Sequence, residues 1–305
     1  MPKNAIWPFT VVGRPPQEDT SFGQLIHSIS GNALQNEIPG LKEVNAVDAA
    51  GVHPLLLAIG SERYTPYAPA KQPAELLTIS NHILGTGQLS LAKFLFITAD
   101  PDNFISTHDI PQYFNFLLQR IDTTRDIHFH TKTTIDTLDY SGTSINAGSK
   151  VVLAATGEVK RTLGNFVPHF LTAYNAAIVL PGILAVEIGA FTDYASAEKE
   201  MHALNENVKA YLHELNEFPL IIVADDAAFV ADALNNFLWV AFTRTNPSHD
   251  IYGVESFTEH KHWGCRGSVI LDARIKPHHA PPLVPDADVQ KRADGILERA
   301  GFSIQ

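Results

Sequence analysis

The chain has 305 residues, of which 45% are hydrophobic and only 18% charged, long enough for two ordinary domains and apolar enough to bury a full core. Its 22 Lys and Arg against 33 Asp and Glu give a formal net charge of -11, a field that repels polyphosphate and excludes nucleic acid as an expected partner. A single cysteine closes no internal disulfide, and the opening MPKNAIWPFTVV lacks the apolar stretch and cleavage pattern of a secretory signal, so the expected location is the cytoplasm.

In chain order, residues 1–40 read as an extended connector, because Pro15 and Pro16 in VVGRPPQEDT forbid helix. Residues 41–160 form a first unit. LLLAIG from Leu55 has the length of a strand, Leu76, Ile79 and Ile83 recur at helical spacing, and KFLFITAD ending at Asp100 is a second strand. In ILGTGQLS, Gly85 and Gly87 follow a helix and not a strand, which makes them a helix-terminating turn and not a nucleotide loop. GSKVVLAAT from Gly148 closes the unit.

Residues 161–275 repeat this order. Phe191-Thr192-Asp193-Tyr194-Ala195 lies over Tyr64-Thr65-Pro66-Tyr67-Ala68, FPLIIVAD over KFLFITAD, TRTNPSHDI over QRIDTTRDI, and GSVILDAR over GSKVVLAAT. Leu204, Val208 and Leu212 supply the helical spacing. The expected fold class is α/β, with mainly parallel sheets covered by helices on both faces, in two tandem copies. The longest apolar stretch, AAIVLPGILAVEIGA, is interrupted by Pro181 and Glu187 and is too short to cross a bilayer. Residues 276–305 form a proline-rich arm and a tail helix from about Asp286. Val289, Ala293, Ile296 and Leu297 make an apolar stripe on a helix too short to stand alone in water.

Several clusters invite a chemical reading. FTEHKHWGC places His260, His262 and Cys265 within six positions, but without a second ligand pair the expectation is a polar loop and no metal site. Asp100 and Asp225-Asp226 end strands, where open parallel sheets hold their ligand crevice or where carboxylates cap the next turn. Arg120 and Arg244 recur with Asp126 and Asp250 six residues later, a pattern expected of a turn brace or structural ion pair. Lys93 opens an apolar strand, and Ile135 and Thr137 alternate on one face of an extended segment.

Gly13-Arg14-Pro15-Pro16, Lys93-Phe94-Leu95-Phe96-Ile97 with Asp100, Arg120 through Asp126-Ile127, Ile135-Asp136-Thr137-Leu138-Asp139-Tyr140 and Gly148-Ser149-Lys150 together resemble the C-terminal portion of the UbiD family. Those decarboxylases use prenylated flavin mononucleotide on aromatic and α,β-unsaturated acids. The resemblance implies a carboxy-lyase of ubiquinone or menaquinone biosynthesis acting on aromatic or polyprenylated hydroxybenzoate-like acids, with this chain as its C-terminal part. It implies that Lys93 lies on the cofactor-phosphate side and that Ile135 and Thr137 border the substrate pocket. No catalytic residue and no metal ligand is expected here, because the family's Glu-Arg-Glu network and the ligands of its divalent metal belong to an upstream flavin-binding domain. The isolated chain is therefore expected to bind no cofactor and to be inactive. Expected partners are a separate flavin-binding chain and a second copy, most simply in a dimer held by the tail helix. The alternative is a non-catalytic assembly or regulatory module descended from the enzyme.

Overall fold

The computed structural model describes residues 35–64, 67–68, 71–279 and 286–301. The expected connector and its Gly13-Arg14-Pro15-Pro16 lie outside the described residues. A first five-stranded sheet comprises β1 (Leu41–Ala46), β2 (Leu55–Gly60), β3 (Phe94–Ala99), β4 (Ile127–Thr133) and β5 (Gly148–Ala155), in the order β1-β2-β3-β5-β4. The three central strands are parallel and both edges run antiparallel. Every residue of β2 and β3 is buried, which is why these strands read as unbroken apolar runs. Alternate side chains serve opposite faces. Leu56, Ala58, Leu95 and Ile97 meet Leu76, Ile79 and Ile83 of helix α1 (Ala74–Gly85), while Leu55, Leu57, Phe94 and Phe96 face helix α2 (Ile110–Arg120).

The second sheet comprises β6 (Ala177–Leu180), β7 (Ile183–Val186), β8 (Leu220–Val223), β9 (Ile251–Gly253) and β12 (Val269–Asp272), ordered β6-β7-β8-β12-β9. Its strands have the same pairing senses as the first: a parallel centre with antiparallel edges. Helix α3 (Tyr194–Val208) covers one face through Met201, Leu204 and Val208, and stops before the expected Leu212. Helices α4 (Ala227–Asp232) and α5 (Leu234–Arg244) cover the other.

The inner faces of both sheets share one continuous core with α2, α4 and α5. Phe242 of α5 meets Phe94 and Phe96 edge-on, at centroid distances of 5.1 and 5.7 Å, and Phe237 meets Phe114 at 5.6 Å. Aromatic pairs of this geometry add about 0.5–1.5 kcal/mol each beyond area burial, so the two units are fastened by their ring contacts as well as by the chain.

FTEHKHWGC forms a β-hairpin, β10 (Ser256–Glu259) paired with β11 (His262–Cys265). His260 and Lys261 form its turn with φ of 48° and 68°, the left-handed pair that matches strand twist in a two-residue hairpin. Helix α6 (Ala287–Arg299) begins at Asp286, whose carboxylate accepts from the Asp288 and Val289 amides, and buries none of its residues. Among the described residues no helix is long and apolar enough to cross a membrane.

Candidate functional site

A crevice of about 800 Å³ opens at the carboxyl edge of the first sheet, beyond Gly60 of β2, Ala99 of β3 and Thr156 after β5. This is where parallel sheets with right-handed crossovers present ligand sites. Two glutamates fix the segment after β2. Glu62 accepts from the Glu75 and Leu76 amides at 3.0 and 3.1 Å, capping the start of α1, where free amides favour a carboxylate. Glu75, 3% exposed, takes the Ser61 hydroxyl at 2.6 Å and the Arg63 guanidinium at 3.1 Å. Burial alone would raise the Glu75 pKa, but the bonds from Ser61 and Arg63 outweigh it and hold it below the usual range.

Asp100 follows β3 and is 1% exposed. Its Oδ2 accepts from the Ile105 amide at 2.9 Å, while its Oδ1 has no hydrogen-bond partner among the described residues. Lys42 donates to the Asp100 carbonyl at 2.7 Å. Arg120, the last residue of α2, donates to the Phe116 carbonyl at 3.0 Å and lies 3.5 Å over the Phe116 ring centroid. Lys160 pairs with Asp122 at 3.0 Å. Lys42, Arg63, Lys71, Arg120 and Lys160 thus face Glu62, Asp100, Asp102 and Glu158 across the crevice, a local excess of positive charge on an acidic chain. Phe104 and Val159, both exposed, supply an apolar rim.

The same edge of the second unit is filled. Arg274, fully buried, grips Asp272 with two bonds of 2.8 and 2.7 Å and Glu200 with one of 2.6 Å. Arg244 reaches Asp225 at 3.3 Å, and Asp225 also accepts from the Ile275 amide at 2.8 Å. Asp226 caps α4 through the Phe229 amide.

Lys93, Ile135 and Thr137 do not line this crevice. Lys93 is 1% exposed and its ammonium contacts the Asp139 carboxylate and the Ser141 hydroxyl, each at 2.7 Å, and the Thr243 carbonyl at 3.4 Å. Three partners use its three donors, so none is left for a phosphate. Burial lowers its pKa, with Asp139 opposing. Ile135 and Thr137 lie in the segment between β4 and β5, at the edge opposite the crevice. Ile135 is buried against Gly142 and Gly148, where any Cβ would come within 2.7 Å of its side chain. Thr137 is exposed and accepts from Asn146 at 2.9 Å. Neither borders the crevice.

The expected brace is present with a different partner. Asp126 accepts from the Asp122 amide at 2.8 Å and pairs with Arg125 at 2.6 Å, and Asp250 accepts from the Asn246 amide at 2.7 Å; neither Arg120 nor Arg244 takes part. In the hairpin, His260 is exposed and Cys265 fully buried, its thiol pushed up to about 12 by burial. Among the described residues no three His, Cys, Asp or Glu side chains could hold a metal ion. With its three donors engaged, the Lys93 ammonium does not fit a flavin phosphate in this arrangement.

Residues 20–155 match the family model of the 3-octaprenyl-4-hydroxybenzoate carboxy-lyase C-terminal domain, in agreement with the UbiD resemblance. A Chlamydia trachomatis protein is 32% identical over 292 residues, 94% of this chain and 46% of its own length. A Chlamydia pneumoniae protein named as a subunit of 4-hydroxybenzoate decarboxylase is 30% identical over 298 residues, 95% of this chain and 46% of its own length. The chain therefore spans a little under half the length of these relatives. Among solved structures, apo Klebsiella pneumoniae 3,4-dihydroxybenzoic acid decarboxylase superposes with a TM-score of 0.36 and 19% identity, over 48% of this chain and 31% of that one.

Proposed function

We propose that this chain, whose residues 20–155 carry a UbiD-type C-terminal domain, is the C-terminal part or subunit of a decarboxylase acting on aromatic or polyprenylated hydroxybenzoate-like acids. The observation that carries this reading is the open crevice at the carboxyl edge of the first sheet, lined mostly by matched residues and completed by Thr156 to Lys160 just past them. The first unit supplies one wall of the active-site cleft. Prenylated flavin, which provides the electron sink for decarboxylation, and its metal are held by the flavin-binding partner, so no proton transfer is assigned to this chain. What its residues do is orient: Glu62 and Glu75 fix the segment carrying Arg63, while Phe104 and Val159 exclude water from an apolar substrate body. Co-expression with a UbiD-type flavin-binding domain should yield a stable complex by size-exclusion chromatography. Two separately eluting proteins would contradict the reading.

The tail helix supports an oligomer, most simply a two-fold dimer. Val289, Ile296 and Leu297 are 51%, 59% and 42% exposed, a stripe that a helix of this length cannot leave in water and stay folded. Deleting residues 286–305, which spares the buried Lys276 and its pair with Asp250 at 3.4 Å, should lower the mass seen by light scattering. An unchanged oligomer would count against the helix. An assembly or regulatory role is the second reading, favoured by the filled edge of the second unit.

A further inference from the structure

We propose that the second unit buttresses the crevice of the first, with Arg161 as the positioning residue that holds the crevice wall in place. The crevice's part in decarboxylation rests on the reading above, whereas the buttress rests on the contacts around Arg161 and is tested without turnover.

One wall of the crevice is the segment that leaves β5, Thr156 to Lys160. It is also the start of the connection between the two units. Gly157 turns it with a φ of 89°, a left-handed conformation that favours glycine, and a Cβ there would lie 3.2 Å from the Lys71 carbonyl oxygen. Two consecutive residues fasten the far end of the wall. The Lys160 amide donates to the Gln119 carbonyl at 2.8 Å, and its ammonium pairs with Asp122 at 3.0 Å. Arg161 Nη1 donates to the Leu118 and Ile121 carbonyls, both at 2.7 Å. The last carbonyls of a helix have no partner within it and attract a cation, so Arg161 closes the end of α2 while it anchors the wall. Burial lowers the Arg161 pKa, with Asp122 and Asp126 opposing; its bonds form away from water, where charge-assisted bonds are strong.

The other side of Arg161 belongs to the second unit. Its Nε donates to Asn216 Oδ1 at 3.2 Å, in the turn before β8. Further on, the Gly164 amide donates to the Glu217 carbonyl at 2.9 Å, and the Gly164 carbonyl accepts from the Gly182 amide at 2.9 Å. The Phe218 ring lies so close to Gly164 that an added Cβ would fall 2.1 Å from it. Leu163 packs against the shared core. The connection is therefore pinned to both units between Lys160 and Gly164, immediately after the residues that form the wall. The second unit's own sheet edge is closed by Arg274 with Asp272 and Glu200. What the duplicate gives the first crevice is support.

Hydrogen exchange of the full chain, followed by mass spectrometry, reads the buttress directly. Arg161→Met keeps the stem and removes the donors, so residues 156–164 should exchange at least about tenfold faster. Exchange in β2 and β3 should stay within about twofold of wild type. Asn216→Ala, a change in the second unit alone, should accelerate residues 156–164 by about threefold. Arg161→Lys keeps a cation for the helix carbonyls and should recover part of the loss. A nitroxide on Val159→Cys reports the wall itself, because Val159 is 55% exposed and Cys265 is fully buried. Its spectrum should sharpen in Arg161→Met and broaden again in Arg161→Lys. The proposal is overturned if residues 156–164 exchange at the wild-type rate in Asn216→Ala, if the acceleration spreads equally to β2 and β3, or if Arg161→Met leaves the nitroxide spectrum unchanged. Should Arg161→Met not fold, Asn216→Ala and Arg161→Lys still decide. Failure of the decarboxylase reading would appear in carbon dioxide release by the assembled enzyme and not in these measurements.

Discussion

Replacing Lys93 by methionine separates a structural lysine from a phosphate ligand. Methionine keeps the length of the stem and removes the ammonium, leaving the Asp139 carboxylate, 4% exposed, without its counter-charge at 2.7 Å. Asp139 would retain the Ser141 amide and hydroxyl at 2.8 and 2.6 Å, so part of its solvation survives. Removing one partner of a buried pair costs about 3–5 kcal/mol, and the retained bonds place this case toward the lower figure. The Lys93→Met/Asp139→Asn double variant removes both charges and keeps the acceptor for Ser141. It should lie within about 1–2 kcal/mol of wild type, since neutral replacements of buried pairs are often close to neutral in effect. Urea unfolding followed by circular dichroism measures all three. A loss below about 1 kcal/mol for Lys93→Met, the size expected of an exposed pair, would contradict the buried pairing and return Lys93 to the surface.

Two further predictions concern other buried groups. Burial, aided by His262 and His130, pushes His128 from the usual 6.5 down to about 4, and burial with Lys276 pushes His279 to about 2. Both rings are neutral in the fold while the unfolded chain takes up protons near 6.5. Their contribution is therefore complete above pH 6.5 and is lost as pH falls, toward 4 for His128 and toward 2 for His279, so His128→Gln should flatten the decline of melting temperature between 6.5 and 4; an unaltered slope contradicts this. Cys265, fully buried with its thiol raised to about 12, should react with a thiol reagent only on unfolding, and fast labelling of native protein would show the hairpin to be open.

The central strands were legible because β2, β3, β7 and β8 are buried on both faces and read as continuous apolar runs. The antiparallel edges were not: LKEVNA and IHFHTKT mix buried, half-buried and, in the second, exposed positions without regular alternation, so no period marks them. FTEHKHWGC hid a hairpin because its left-handed turn uses His260-Lys261 in place of the usual Asn-Gly or Asp-Gly. In the candidate site, Asp100 could be found from its place at a strand end. Arg120 was assigned to the wrong partner, since Asp126 is held by the adjacent Arg125 at 2.6 Å and by the Asp122 backbone amide, which carries no sequence signal. Lys42 and Arg63 were missed because only the folded sheet brings β1 and the segment after β2 to one edge. The partners of Lys93 were not legible because Asp139 and Thr243 are 46 and 150 positions away, and nothing local distinguishes a strand-opening lysine that points inward.

If this chain forms one wall of a decarboxylase whose flavin chemistry is held by its partner, neither piece should work alone. Carbon dioxide release from 4-hydroxybenzoate can be measured with prenylated flavin for the chain alone, for the flavin-binding domain alone and for the two together. Enzyme-like turnover is expected only for the combination. Turnover by the isolated chain, or no gain on combining the two in a verified complex, would show that the wall and the flavin chemistry are not divided in this way.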